Sequence, residues 1–254
     1  METLYLVGLG GAAALGAAIN AVAGGGTFLV FPLLILSGLG AVQANIMATI
    51  ALWPGSVASS VAFKSERAHL EMKRLVPLIA ISILGSALGT WLLLSTPETV
   101  FRELVPYLLL AATLLFTFGK KLIRHAREGG SLALNRNWIP ACAGMTGIAI
   151  YGGYFGAGIG ILMLAMLQML GMRQIHEMNA VKTVLGSTIN AVAFAIFVFS
   201  PLVVWDVAIV MIFGAILGGY VGARLSLRVS PQKVRLIISV LGFAMSGYFF
   251  LYGV

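Results

Sequence analysis

Ala23-Gly24-Gly25-Gly26-Thr27-Phe28-Leu29-Val30-Phe31-Pro32 is the stretch from which the fold is read. Three consecutive glycines lie in an apolar region, and each costs a helix about 1 kcal/mol relative to alanine. A second run, Gly152-Gly153-Tyr154-Phe155-Gly156-Ala157-Gly158-Ile159-Gly160, stands in the later part of the chain. Each reads as a helix break inside a membrane, and the two breaks together as one site.

The surroundings require a membrane. The 254 residues are 60% hydrophobic and 9% charged, with a mean hydropathy of +1.02. Ordinary soluble domains carry about 25% charged residues. Helices are the default, because lipid offers no partner to open backbone groups. Apolar segments fall at 3–22, 27–39, 44–63, 75–95, 101–119, 138–151, 158–171, 178–200, 204–223 and 232–252. The first, sixth and others approach or reach spanning length. The second and seventh, directly after the glycine breaks, hold about 13 residues, roughly 20 Å of helix against a core of about 30 Å. Short, glycine-interrupted segments at corresponding places in two halves point to the central site of a transporter.

The halves correspond. Gly25, Gly40, Gln43, Met47, Gly55, Ser56 and Val61 recur 131 residues later as Gly156, Gly171, Gln174, Met178, Gly186, Ser187 and Val192. Further on, Gly89 pairs with Gly222 (222 − 89 = 133) and Pro97 with Pro231 (231 − 97 = 134). The expected organisation is a first repeat at 1–122, a basic cytoplasmic loop at 123–137 and a second repeat at 138–254.

The net charge of +8 belongs to short loops. Lys64, Arg67, Lys73 and Arg74 form one basic cluster, Lys120, Lys121, Arg124, Arg127 and Arg136 a second, and Arg224, Arg228, Lys233 and Arg235 a third. This is the positive-inside pattern, and no nucleic-acid partner is expected. With these loops cytoplasmic, equivalent segments of the two repeats run in opposite directions. The expected fold is therefore an all-α polytopic membrane protein of two inverted-topology repeats, each a broken helix hairpin followed by three transmembrane helices. Both termini lie outside. Eight simple spans are the alternative, with the third basic loop outside.

Smaller signals fit. The N-terminus lacks a basic leader region and reads as mature chain. Thr96-Pro97 and Ser230-Pro231 place a capping hydroxyl before a helix-starting proline. Trp138 and Trp205 fall at expected interfaces. Gly85, Gly89, Gly214, Gly218 and Gly222 have small-xxx-small spacing, which suits close helix packing and allows a homodimer. The single Cys142 reads as a small buried hydrophobe.

A helix that restarts after a break exposes unpaired N–H groups and about half a positive charge, a setting for an anion. Lys182 lies six residues into the eighth segment, where a cation costs roughly 2.5–3.5 kcal/mol unless it faces a cavity or partner; snorkelling to the interface is the bland alternative. Asn179, Lys182, Thr183, Gly186 and Asn190 share one helical face, as do Asn45, Thr49, Ser56 and Ser59. Arg173 and Glu177 read as a surface pair. The candidate substrate-binding residues are Asn20, Gly24, Gly25, Gly26, Thr27, Asn45, Ser59, Gly156, Gly158, Asn179, Lys182, Thr183 and Asn190. No hydrolase or nucleotide motif is present, so no catalytic residue, cofactor or metal is expected.

Taken together, Ala23-Gly24-Gly25-Gly26-Thr27 with Pro32, Asn179-Ala180-Val181-Lys182-Thr183, Asn190, Val204-Trp205-Asp206, and Gly218 with Gly222-Ala223-Arg224 resemble the sulfite exporter TauE/SafE family. The resemblance covers nearly the whole chain. The second repeat departs from the pattern, with Phe155 and Ala157 replacing glycines and Met163 where Pro32 would be. The resemblance implies a permease in a prokaryotic inner membrane that exports sulfite or a small organosulfonate. The expected function is a secondary transporter exporting a small anion by alternating access around a midplane site. A permease of the same architecture for thiosulfate or a carboxylate, or a non-transporting scaffold subunit, is the alternative.

Overall fold

The computed structural model describes residues 2–62, 72–128, 138–169, 172, 175–225 and 231–254. They form ten helices and no strand: α1 (Glu2–Ala23), α2 (Thr27–Leu36), α3 (Ala41–Ala62), α4 (Met72–Ser95), α5 (Glu98–Glu128), α6 (Trp138–Tyr154), α7 (Ile159–Met169), α8 (Ile175–Phe197), α9 (Trp205–Leu225) and α10 (Pro231–Tyr252). Each apolar segment became a helix, and both glycine runs became breaks. Stretches within α1, α4, α5, α9 and α10 are long and apolar enough to cross a membrane. The helices after the breaks have 10 and 11 residues, about 15 Å each.

The outer and inner helices differ as a bilayer requires. Leu84 and Trp91 on α4, Phe213 and Leu217 on α9, and Leu236 and Ile237 on α10 expose large apolar side chains. In lipid these are the normal outer surface. In contrast, Ala44, Ile46, Met47, Ile50 and Ala51 bury most of α3 within the bundle. α3 and α8 can therefore carry polar residues that a lipid-facing helix could not.

Each short helix folds back on the one before it. Val30 packs onto Gly16, and a side chain at Gly26 would strike the Gly16 carbonyl. In the second half, Ile159 lies against Gly152. These are helix hairpins.

Packing partners exchange between the halves. α1 packs on α9, and its counterpart α6 packs on α4; α3 meets α9 as α8 meets α4; α5 meets α7 as α10 meets α2. The pairs α3–α8 and α5–α10 map onto themselves. The contacts are made by the small residues picked out by their spacing. Gly214, Gly218 and Gly222 press on Gly10, Ala14 and Ala18 of α1, one turn apart. Gly85 and Gly89 meet α6 at Ala149 and Ile150. Without large side chains between them, the backbones approach closely enough for dispersion to hold helices together in lipid.

Some details differ from expectation. The Thr96 hydroxyl donates back to the Leu92 carbonyl (2.7 Å) instead of capping α5, which starts at Glu98. The first helical bond runs from the Phe101 N–H to the Pro97 carbonyl, so Pro97 and not Thr96 holds the cap position. Ser230 and Arg173 lie outside the described residues, as do the side chains of Trp138 and Glu177. α5 runs to Glu128, nine residues past the apolar segment (128 − 119), since lysine and arginine are good helix formers. Arg235 is inside α10, where its guanidinium donates to the Phe116 carbonyl and lies 5.2 Å from the Phe116 ring. Glu98, unremarked in the sequence, accepts the N–H groups of Ala41 and Val42 (3.1 Å for Val42) and so caps α3 from α5.

Candidate functional site

At both breaks the backbone leaves donors unused. In the first, the Gly24 N–H bonds the Asn20 carbonyl (2.9 Å) and the Phe28 N–H bonds the Gly25 carbonyl (3.2 Å). Between them, the N–H groups of Gly25, Gly26 and Thr27 have no backbone partner among the described residues. In the second, Phe155 and Gly156 bond the Tyr151 carbonyl and Ile161 bonds the Gly158 carbonyl, leaving Ala157, Gly158, Ile159 and Gly160 open. Left-handed glycines make the turns, with φ of +77° at Gly24 and +76° at Gly156 and Gly158. A side-chain-bearing residue there would pay about 1–2 kcal/mol.

The two turns are not identical. Gly24 and Gly156 are equivalent by conformation, and so are the helix starts Thr27 and Ile159, which places the local offset at 132 (156 − 24 and 159 − 27). The 131-residue spacing that pairs Gly25 with Gly156 thus slips by one here. Gly158 has a positive φ, whereas its equivalent Gly26 is right-handed (φ −60°).

A cavity of about 180 Å³ lies between the turns, ample room for water or a small solute. Asn20, Gly24 and Thr27 line it from the first break, and Gly156, Ile159 and Gly160 from the second. α3 contributes Thr49, Trp53, Ser56 and Ser59; α8 contributes Lys182, Thr183, Ser187 and Asn190. Among the described residues, Lys182 is the only charged one lining it. A Cβ at Gly160 would sit 3.4 Å from the Lys182 Cδ, so the glycine makes room for the lysine stem at the turn. One cation and two helix starts give the cavity a positive character.

At the other end of α3 the walls are tied shut. The Asn45 Nδ2 donates to the Tyr154 carbonyl (2.9 Å), and the Gln43 Nε2 to the Leu202 carbonyl (2.9 Å). The Tyr154 and Thr96 hydroxyls lie 3.4 Å apart. Phe155 packs edge-on against Phe31, with centroids 5.2 Å apart.

A model of the family described as sulfite exporter TauE/SafE matches residues 9–249. The chain belongs to this family. It is 29% identical over 229 residues to a "Probable membrane transporter protein" of Haemophilus influenzae, covering 90% of this chain and 88% of the relative. It is 25% identical to a similarly named protein, ORF9, of a Sinorhizobium species, over 90% and 85% of the two chains. It is 28% identical to the "Probable membrane transporter protein YfcA" of Escherichia coli, over 90% and 83%. No solved structure matches the chain. This TauE/SafE protein is a multi-pass membrane transporter, and its partners are a small solute and the lipid around it.

Of the residues picked from the TauE/SafE sequence, Asn20, Gly24, Thr27, Ser59, Gly156, Lys182, Thr183 and Asn190 line the cavity together. Gly25, Gly26, Gly158 and Asn45 are behind its wall. Gly25 packs under Ile238 and Phe116, Gly26 against Gly16, and Gly158 near the Ala112 carbonyl. Asn45 is buried, with its Oδ1 unpartnered. Asn179 is on α8, its side chain outside the described residues. Trp53 and Tyr151 are among the residues that were missed. Trp53 lies four residues after Thr49 and three before Ser56, a face shared with polar residues that helical spacing would have revealed. Tyr151 donates from its hydroxyl to the Ala157 carbonyl (2.8 Å), which braces the second turn; no local pattern announces that contact.

Proposed function

We propose that this transporter exports a small oxyanion, sulfite or an organosulfonate, by alternating access, with no catalytic activity. The observation that carries the reading is Lys182 between two helix starts in a cavity that no acidic side chain lines among the described residues. In the proposed orientation the repeats are inverted, the basic loops are cytoplasmic, and the protein sits in a prokaryotic inner membrane. The lining of α3 extends from Ala48 toward its C-terminal end at Ser59, the end that the proposed orientation puts on the cytoplasmic side, and this supports an inward-facing reading. The Asn45, Gln43 and Tyr154 ties close the outer end.

The energetics favour this direction. With a negative interior, each negative charge gains about 2.3 kcal/mol per 100 mV on leaving. Efflux therefore needs no ATP. In purified protein reconstituted into liposomes loaded with sulfite, Lys182→Ala is expected to abolish efflux while the protein stays folded. Undiminished flux would remove Lys182 from the site. The site's single cation and backbone donors would also suit thiosulfate or a carboxylate. Competition by unlabelled anions in the same assay separates these cargoes.

A further inference from the structure

Three hydroxyls line the cavity from α3, and each has already given away its proton. Thr49 donates to the Asn45 carbonyl (3.0 Å), Ser56 to the Leu52 carbonyl (3.0 Å) and Ser59 to the Ser56 carbonyl (2.8 Å). A hydroxyl has one proton to donate. These three consequently offer lone pairs, and an anion needs donors. Among the described residues lining the cavity from α3, the side-chain donor still unspent is the indole N–H of Trp53.

That N–H is buried and without a partner. Indole is a donor only, so the group cannot be satisfied by turning to accept a bond. Nor is the ring free to turn, because it stacks on Phe194 of α8 with centroids 4.5 Å apart and planes at 33°. A buried donor without an acceptor is destabilising, and phenylalanine would give the same stack without that cost. An acceptor that arrives with the cargo would supply the missing bond.

We propose that the Trp53 indole N–H donates to the transported oxyanion, in a bond made when α3 and α8 draw together around it. This rests on the anion-export reading above. The nitrogen is shielded in the present conformation, so the bond belongs to the occluded state. An interaction gained only there speeds turnover more than it tightens initial binding.

Trp53→Phe keeps the ring and removes the donor. In sulfite-loaded proteoliposomes, its turnover should fall roughly tenfold, the scale of one hydrogen bond to a charged group. The half-saturating concentration should change by less than about twofold, and the melting temperature should hold or rise, since the unpaired donor is gone. Normal turnover beside an active wild type overturns the role of Trp53 and leaves export standing; so does a loss of turnover matched by a loss of stability. A wild type that moves no sulfite or other anion ends both readings. As a second measurement, Trp91, Trp138 and Trp205 are all changed to phenylalanine, leaving Trp53 as the one tryptophan, excited selectively over the tyrosines. Saturating sulfite should shift its emission and chloride should not. No shift, or equal shifts, overturns the proposal.

Discussion

Gly156 shows how much of the site depends on single backbone conformations. Its φ is +76°, and a Cβ there would meet the Gly152 carbonyl oxygen at 3.0 Å. Gly156→Ala combines left-handed strain with that close approach, so a loss of about 1–2 kcal/mol is expected, read as a lower melting temperature in detergent with reduced anion flux. Gly25 and Gly26 were chosen from the same run, yet they serve a different purpose. They are right-handed or tightly packed, and they let α2 and its neighbours come close to the turn. Both roles call for glycine, so composition cannot tell them apart; the φ values and the neighbours can. Lys182 was identifiable because its charge is costly within an apolar helix. Trp53 was not singled out, because a tryptophan in a membrane helix reads equally well as packing.

At the scale of elements, the helices were set by apolar length and the breaks by glycine. Their pairing was set by small residues four apart. On α9, a side chain at Gly218 would drive into the Ala14 carbonyl of α1. Gly218→Leu should therefore separate α1 from α9, at a cost of about 1–3 kcal/mol or more, seen as poor yield and early unfolding of the purified protein. Gly8→Leu is the matched control. Gly8 is on the exposed side of α1 with nothing within 4 Å of an added Cβ, so its melting temperature should be unchanged. The capping of α3 by Glu98 belongs to this scale too. It joins residues 57 apart in sequence (98 − 41), and a glutamate near the start of α5 looks like an ordinary first-turn acid.

For the whole molecule, the exchange of packing partners between halves is the property that makes two hairpin turns face one cavity. Its direction across the membrane is open to a simple test. If each glycine run is a hairpin that returns to its own side, both termini lie outside, and an alkaline phosphatase fused at either end should be active in the periplasm. Eight uninterrupted spans with the first two basic loops cytoplasmic would instead put both termini inside, where a green fluorescent protein fusion would be bright. Fluorescence at the C-terminus with no phosphatase activity would dismiss the inverted arrangement.

The sequence by itself determined the solvent, the helix count and the two breaks. These are local properties: hydropathy, segment length and glycine content act within a few turns of chain. It also carried the family and the charged residue of the site. Tertiary structure alone decided which face of each glycine run meets the cavity, and that Asn45 stands behind the wall as a tie to Tyr154. It alone showed that the Trp53 ring is held against Phe194 of α8 and that its N–H is left over. The physical reason is that each polar group has a fixed number of protons to donate, and whether an Asn45 or a Trp53 finds an acceptor depends on neighbours more than a hundred residues away in the chain.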